Sequence, residues 1–452
     1  MINKAFEYIN ENETRFLKEL QEFLKFPSVG TQSTHNKDLV QCAIWLKNHL
    51  ECIGLQARLI QTNRHPIVWA RHKGRSSKRL IIYGHYDVQP EDPIDQWRSD
   101  PFGPTIREGY IYARGATDDK GQLFAHIKGI ESLIRTIKTL PCEVVFLIEG
   151  EEESGGASLS EYIKKNKTNL ATDAIVVSDT AMFDENTPAV TYGLRGLVTM
   201  EVTVRTANRD LHSGIYGGVI ANSVSVLSYI ISKCTGTNGK IQIPGFYDNV
   251  RPLDDWEKEN IRRLAYDDEK LIRETGSRQI FGEIDFLTLE KIYARPALDI
   301  NGISGGYTGE GMKTIIPSSA TAKISIRLVP EQDPYKIADL LKEYINSICP
   351  IFASVEVQGP FAAAKPVLFD VDNLKIKAAW QALKHGFGAD PVYIRCGSSI
   401  PVVSTFREEL EKPVILMGFG LDSDGAHSPN ERFKIANFIN GAKTCAYFLA
   451  NI

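Results

Sequence analysis

Five segments of this chain run from a buried-strand pattern into a turn bearing His, Asp or Glu, and no other feature restricts the fold as much. They are Leu80-Ile-Ile-Tyr-Gly-His-Tyr-Asp87, Gly115-Ala-Thr-Asp-Asp-Lys-Gly121, Phe146-Leu-Ile-Glu-Gly-Glu-Glu-Glu-Ser-Gly155, Ile175-Val-Val-Ser-Asp179 and Gly425-Ala-His-Ser-Pro429. β-Branched and aromatic residues that stop at Gly and then an ionisable side chain describe the mouth of a crevice at the carboxyl ends of parallel strands. The remaining pattern fits that frame. Expected strands at 67–71, 79–83, 143–148 and 174–178 alternate with expected helices at 121–137 and 159–165, the signature of a sheet covered by helices. Two helices precede them, over 3–25 and over 38–53, with Asp38 as N-cap and Gly54 as C-cap.

The style changes near Gly196. Residues 197–206 and 320–328 alternate apolar and polar, as half-solvated antiparallel strands do. Helices are expected near 219–232 and 335–348, and a strand at 354–357. Residues 240–295 are charged and show no clean period. From 371–385 (helix) through 414–419 (strand) to 431–449 (helix) the α/β style returns. The fold class is therefore α/β: a catalytic domain of a helix-covered mixed sheet, residues 1–196 and 367–452, with an inserted α+β lid or dimerisation domain, residues 197–366.

Bulk properties exclude several classes. At 452 residues, 43% apolar, 24% charged and net charge −4, the chain lacks the basic stripe of a nucleic-acid binder and has no pull toward anionic lipid. No window approaches the length of a membrane span, and the first residues lack the apolar core of a signal peptide. Seven cysteines, scattered and never in a CxxC pair, suit a reducing cytoplasm better than a disulfide frame or a thiolate zinc site. The stretch Gly306–Thr314 departs from a phosphate loop because Met312 separates Gly from Lys. No GxSxG elbow of a serine hydrolase is present.

Imidazoles and carboxylates together form the donor set of a hydrolytic divalent-metal centre. A hydrolase must produce hydroxide near neutral pH and stabilise an oxyanion, and two metals about 3.5–4 Å apart do both. Such a pair needs one bridging carboxylate, and Asp118, where a Gly-rich turn enters a helix, suits that place. His85 and Asp179 could then hold one ion, and Glu153 and His427 the other. Asp87, two residues after His85, could accept the imidazole N–H and fix its tautomer. Glu152 becomes the general base. The other histidines, 35, 49, 65, 72, 126 and 385, read as structural. Singly, each turn residue would pass for a helix cap or a solvated loop; the convergence of five strand ends carries the metal reading.

These motifs resemble the carnosinase-like, cytosolic non-specific dipeptidase branch of the aminoacylase/carboxypeptidase-G-type metallopeptidases. The resemblance rests on GHYDVQP (84–90), RGATDDKGQ (114–122), EGEEESGG (149–156), TYGLRG (191–196), DLHSGIYGG (210–218), KTIIP (313–317), SIRLVP (325–330), GSSIP (397–401) and DGAHSPNE (424–431). It implies a homodimer of the cytosolic kind, formed through the insert; imidazole and carboxylate donors accept zinc, manganese or cobalt, and two ions per chain, zinc or manganese, are expected. It also implies substrate contacts from His212, Thr314, Arg327 and Ser399, with His212 completing the partner subunit's active site. The expected reaction is hydrolysis of dipeptides or short peptides with a free C-terminal carboxylate. Deacylation of N-acyl amino acids is the alternative on the same metal site, and a non-catalytic binding homologue is the alternative of another class. Two features depart from the branch: residues 369–373 carry no His, and Cys396 stands where Glu is common.

Overall fold

The computed structural model describes residues 2–452 and divides into two compact units. The first comprises residues up to 192, 369–394 and 402–452; the second comprises 193–368 with 395–401. Residues 395–401, which carry the GSSIP motif, thus cluster with the insert.

The first unit is organised by a mixed sheet. Its strands are β1 (Gln56–Ile60), β2 (Ile67–His72), β3 (Arg79–His85), β4 (Glu143–Glu149), β5 (Ala174–Val177) and β6 (Ala189–Leu194). The spatial order is β1-β2-β4-β3-β5, then Val414–Leu416, then β6. β4, β3, β5 and Val414–Leu416 run parallel to one another. They are buried nearly throughout, which is why they read as continuous apolar runs and not as alternations. β1 is half-exposed and carries no such run; β6 is buried throughout but, with Thr191 and Gly193 inside it, does not read as an unbroken apolar stretch. The register sets His85 beside Glu149, so the ends of β3 and β4 are level.

Five helices precede or interleave the strands: α1 (Ile2–Glu11), α2 (Glu13–Leu24), α3 (Asn36–Cys52), α4 (Lys120–Ile137) and the short Ala157–Lys165, which falls where a helix is expected. The single helix expected over 3–25 is interrupted at Asn12, whose side chain bonds back to the Tyr8 carbonyl, a local alternative to the helical ladder. α3 begins at Asn36, directly after a 3₁₀ turn at Ser33–His35, so Asp38 lies in its first turn and is not its cap. The closing helix starts at Ile435 because Arg432–Lys434 pairs as a strand with Tyr110–Tyr112.

α4 is buried on every side from Lys120 to Leu133. A helix so enclosed must satisfy its polar side chains internally. Lys120, two residues after Asp118, donates from Nζ to the Phe23 and Phe26 carbonyls. Gln122 Oε1 accepts the Phe419 and Gly420 amides, and its amide nitrogen donates to Thr117 O. His126 Nε2 lies 2.6 Å from Ser178 Oγ, which donates in turn to the Met417 carbonyl. Lys128 Nζ sits among Glu19, His49 and Glu131, at 2.5 Å, 2.8 Å and 2.8 Å.

The second unit is a four-stranded antiparallel sheet in the order β8-β9-β7-β10, with β7 at Gly196–Arg205, β8 at Ala297–Gly305, β9 at Ser319–Leu328 and β10 at Ser354–Ala364. Val198, Met200, Val202 and Val204 alternate inward from β7 and meet Ala320–Leu328 of β9. Helices α5 (Ser223–Cys234, capped by the Asn222 side chain) and α6 (Pro334–Ile348, capped by Asp333) cover that face with Val226, Ile230, Ile337 and Leu341. The aperiodic region 240–295 holds three short helices, Asp255–Arg263, Asp268–Thr275 and Thr288–Ala294. The middle one buries no side chain, so no apolar stripe marks it in sequence.

Burial holds His126 down to about 3, and burial with the Lys128 charge holds His49 down to about 4. Both therefore bind a proton on unfolding below the ordinary histidine range, and each makes stability fall as pH drops from about 6.5 toward 4. Each proton contributes a slope of about 1.4 kcal/mol per pH unit. His126→Gln should flatten the urea-derived stability–pH curve by about one such increment; an unchanged slope would remove His126 from the account.

Candidate metal centre

The carboxyl ends of β3, β4 and β5 converge with the turn entering α4 and the turn at 425–431. His85 ends β3. Its backbone N–H donates to Asp119 Oδ2 at 3.2 Å. Gly84 permits this approach, since a Cβ there would meet Asp119 Oδ2 at 2.9 Å and Leu123 Cδ1 at 2.8 Å. Past β4, Glu152 and Glu153 lie in a 3₁₀ turn. Asp179 follows β5 by two residues. His427 adopts φ 61°, the left-handed region that few non-glycine residues enter.

These side chains form two groups whose donor atoms all lie within 4.8 Å of one another: His85 with Glu152 and Asp179, and Asp118 with Glu153 and His427. Asp118 touches both. Its Oδ1 is 3.1 Å from His85 Nε2 and its Oδ2 is 2.9 Å from His427 Nε2. His427 Nε2 is also 3.3 Å from Glu153 Oε2. A carboxylate with one oxygen toward each imidazole has the geometry a bridge requires. Glu152 stands within reach of the first group, so position alone does not separate base from ligand within the acidic run.

Asp87 differs in detail from its expected contact. The nearer acceptor for His85 Nδ1 is the Asp87 carbonyl at 3.0 Å, with the carboxylate Oδ1 at 3.4 Å. The carboxylate instead accepts the Glu152 and Glu153 amides at 3.2 Å and 3.1 Å. One residue thus orients the imidazole and anchors the acidic turn. Two contributors escaped the sequence reading. Gln89 Nε2 donates to Glu153 Oε2 at 2.7 Å, and Tyr83 OH donates to the buried Glu149 at 2.9 Å. GHYDVQP contains Gln89, but nothing in its spacing shows what it meets.

Burial dominates the electrostatics. It pushes Glu152 up to about 8, with Glu153, Asp118 and Asp87 adding to the rise and His85 opposing it. Burial and Asp118 raise Asp179 far above the usual carboxylate range. Burial also acts to raise Asp118, but hydrogen bonds from His427 and His85 outweigh it and hold that carboxyl well below its ordinary value. Hydrogen bonds to Asp118 and Glu153 lift His427 to about 10. A buried acidic cluster whose nearest cations are two imidazoles fits divalent metal: the ions supply the missing positive charge, and the donor set is hydrolytic.

The third group with metal-like spacing, Glu19, His49 and Glu131, already surrounds the Lys128 ammonium. His49 is thus structural, as read from the sequence.

The remaining expected site residues lie in the second unit. His212 is exposed at the end of a two-strand ladder with Ile315, and its Nδ1 accepts the Gly214 amide at 3.0 Å. The exposed Thr314 accepts the Ser213 amide on its carbonyl at 3.0 Å. Arg327 Nη1 donates to Ser399 Oγ at 3.1 Å. Arg195, from TYGLRG, braces the same loop through Nε to Gly397 O at 2.7 Å. Cys396 Sγ is 2.9 Å from Ser398 Oγ.

A parallel-strand crevice ringed by paired imidazole–carboxylate groups, in a chain that also holds a separate antiparallel unit, defines a metal-dependent hydrolase of the two-domain peptidase type. The chain belongs to peptidase family M20/M25/M40, which it matches over residues 81–451, and it is a metallopeptidase. It is 33% identical to the Cys-Gly metallodipeptidase DUG1 of Candida albicans, over 99% of this chain and 96% of that protein. Among solved structures, the M20 family metallo-carboxypeptidase Sso-CP2 of Sulfolobus solfataricus superposes with a TM-score of 0.88 at 34% identity, covering 96% of this chain and 98% of that one. Human carnosine dipeptidase 1 gives a TM-score of 0.85 at 29% identity, covering 100% and 99%. The resemblance to the carnosinase-like branch is thereby borne out. Among the described residues no helix is long and apolar enough to cross a membrane.

Because His427 is held near 10, it is protonated at pH 8 in the metal-free protein, and ligation at Nε2 must expel that proton. Calorimetric titration with manganese in buffers of different ionisation enthalpy should report roughly one proton released from this residue. His427→Gln should lower the count. No difference between the two proteins would remove Nε2 as a donor.

Proposed function

We propose that the chain is a two-metal dipeptidase, cleaving dipeptides or short peptides that carry a free C-terminal carboxylate. The placement of Asp118 between two imidazoles, 3.1 Å and 2.9 Å away, carries this reading. The names of the relatives, a Cys-Gly dipeptidase and a carnosine dipeptidase, support the substrate class. In this reading His85 and Asp179 hold one ion, Glu153 and His427 the other, and Asp118 bridges. Zinc or manganese, the expected ions, both suit such imidazole and carboxylate donors. When bound, the pair would make a water acidic enough to lose a proton near neutral pH and would polarise the scissile carbonyl.

The residues of the chain do the rest. Glu152, within reach of the His85 and Asp179 donors, takes the proton of the attacking water and returns it to the leaving nitrogen. Asp87 keeps that carboxylate in place through the two amides of its turn. Arg327, with Ser399 beside it and no ion-pair partner among the described residues, clamps the substrate carboxylate. Thr314 adds a hydroxyl. His212 stabilises the oxyanion across a homodimer of the second unit, here given the role of lid. Ile215, in the short helix Ser213–Tyr216 after His212, and Val219, on the turn beyond it, are 68% and 78% exposed, apolar surface of the kind such a partner would cover. Free cysteines throughout suit a cytoplasmic setting.

Glu152→Gln should lose roughly 10²–10⁴-fold in kcat while keeping both ions. If it loses metal, and Glu153→Gln keeps metal but loses rate, base and ligand are exchanged between the two. Hydrolysis of a panel of dipeptides and N-acyl amino acids, run on apoprotein reloaded with each metal, tests the substrate class. Turnover confined to acyl amino acids would make the protein a deacylase.

Mixing His212→Ala with Glu152→Gln under subunit exchange tests the dimer. Action across the interface restores activity, because one site of each mixed dimer then has both residues intact. Action within one chain restores none.

A further inference from the structure

Glu431 belongs to neither imidazole–carboxylate group, yet it is fully buried. Its carboxylate is cradled by the turn that carries Asp118. Oε2 accepts Arg114 Nη1 and the Gly115 amide, both at 2.9 Å. Oε1 accepts the Thr117 amide at 2.9 Å and the Asp118 amide at 3.1 Å. The Glu431 carbonyl accepts the Ala113 amide at 3.1 Å. A further tie runs from Thr117 Oγ1 to Asp424 Oδ2 at 3.3 Å, and Asp424 also accepts the Leu421 amide. Thus the segment holding His427 grips the segment holding Asp118 at both of its ends.

A buried carboxylate accepting three amides of one turn and a guanidinium is more than the packing of a turn needs. An apolar side chain would fill the space, but it would leave four donors unsatisfied. The bonds run to the backbone of the very residue whose two oxygens face His85 and His427. We propose that Glu431 is a positioning residue for the metal pair: it fixes the Asp118 carboxylate relative to His427, and so sets the affinity of the ion shared by Asp118, Glu153 and His427 more than that of the ion at His85 and Asp179. The inference rests on Asp118 and His427 as metal donors. Outer groups of this kind typically change metal affinity by roughly 10–100-fold.

The test is a competition titration of manganese against a chromophoric chelator on wild type, Glu431→Gln and Glu431→Asp. Glu431→Gln keeps the shape but turns an amide NH₂ toward donors; Glu431→Asp keeps the charge but withdraws it by a methylene. Wild type should bind two ions. The glutamine variant should weaken one ion by roughly 10–100-fold and leave the other within a factor of about three, and raised manganese should restore kcat at unchanged KM. The aspartate variant should lie between them. Equal weakening of both ions, or no weakening, overturns the proposal.

Amide hydrogen exchange on metal-free wild type needs no variant. The Gly115, Thr117 and Asp118 amides should be as protected as those of β3, and free exchange overturns the proposal even if the variants do not fold. If wild type itself binds no metal, the parent reading fails instead; two ions in wild type with an unaltered Glu431→Gln sinks this inference alone.

Discussion

Burial of a cluster of carboxylates, with their mutual repulsion adding to it, is the constraint around which the first unit is arranged. Asp87, Asp118, Asp119, Glu149, Glu152, Glu153 and Asp179 collect at the ends of three parallel strands, with His85 and His427 as their imidazole partners. Left to itself such a cluster would neutralise by taking up protons, which is the direction in which Glu152, Glu149 and Asp179 move. Asp118 alone is driven the other way, by the two imidazoles. The fold therefore holds a place that only added positive charge makes comfortable, and it keeps that place rigid by fixing backbone amides onto the surrounding carboxylates.

Rigidity comes from α4. A helix buried on all sides normally carries only apolar residues, but this one carries Lys120, Gln122, His126, Lys128 and Glu131. Each is matched. Gln122 joins the turn at 117 to the strand-end residues 419 and 420, and Lys120 ties the start of α4 to the end of α2. The centre is thus assembled from segments far apart in sequence and locked by side chains that a pattern of apolar periodicity treats as errors.

That accounts for what the sequence disclosed and what it hid. The strand ends are legible because parallel, doubly buried strands are apolar without interruption, and because glycine lies at the exits of β3 and β4. Asp118, His85 and His427 stand out in the sequence by the company they keep. The order inside Glu151–Glu153 was assigned by chemistry alone, and two of those three carboxylates reach a metal-spacing group. Asp87 was identified, but its carbonyl and not its carboxylate is the nearer partner of His85, a choice set by a turn too short to read. Glu431 stood in a quoted motif with no role, since a lone glutamate shows none of its partners. The region 240–295 stayed opaque because its helices are short and the middle one packs no apolar stripe.

Lys128 has a consequence for loading. Its ammonium sits where Glu19, His49 and Glu131 would otherwise offer an imidazole and two carboxylates to a passing ion. An amine there is a permanent tenant, with cation–π contacts to Phe16 and Phe124 to hold it. The chain thus carries a decoy whose door is shut from inside. When metal is plentiful, ions are not drawn off to a sterile place under the helix, and the count of bound ions stays an honest measure of the centre that does the chemistry.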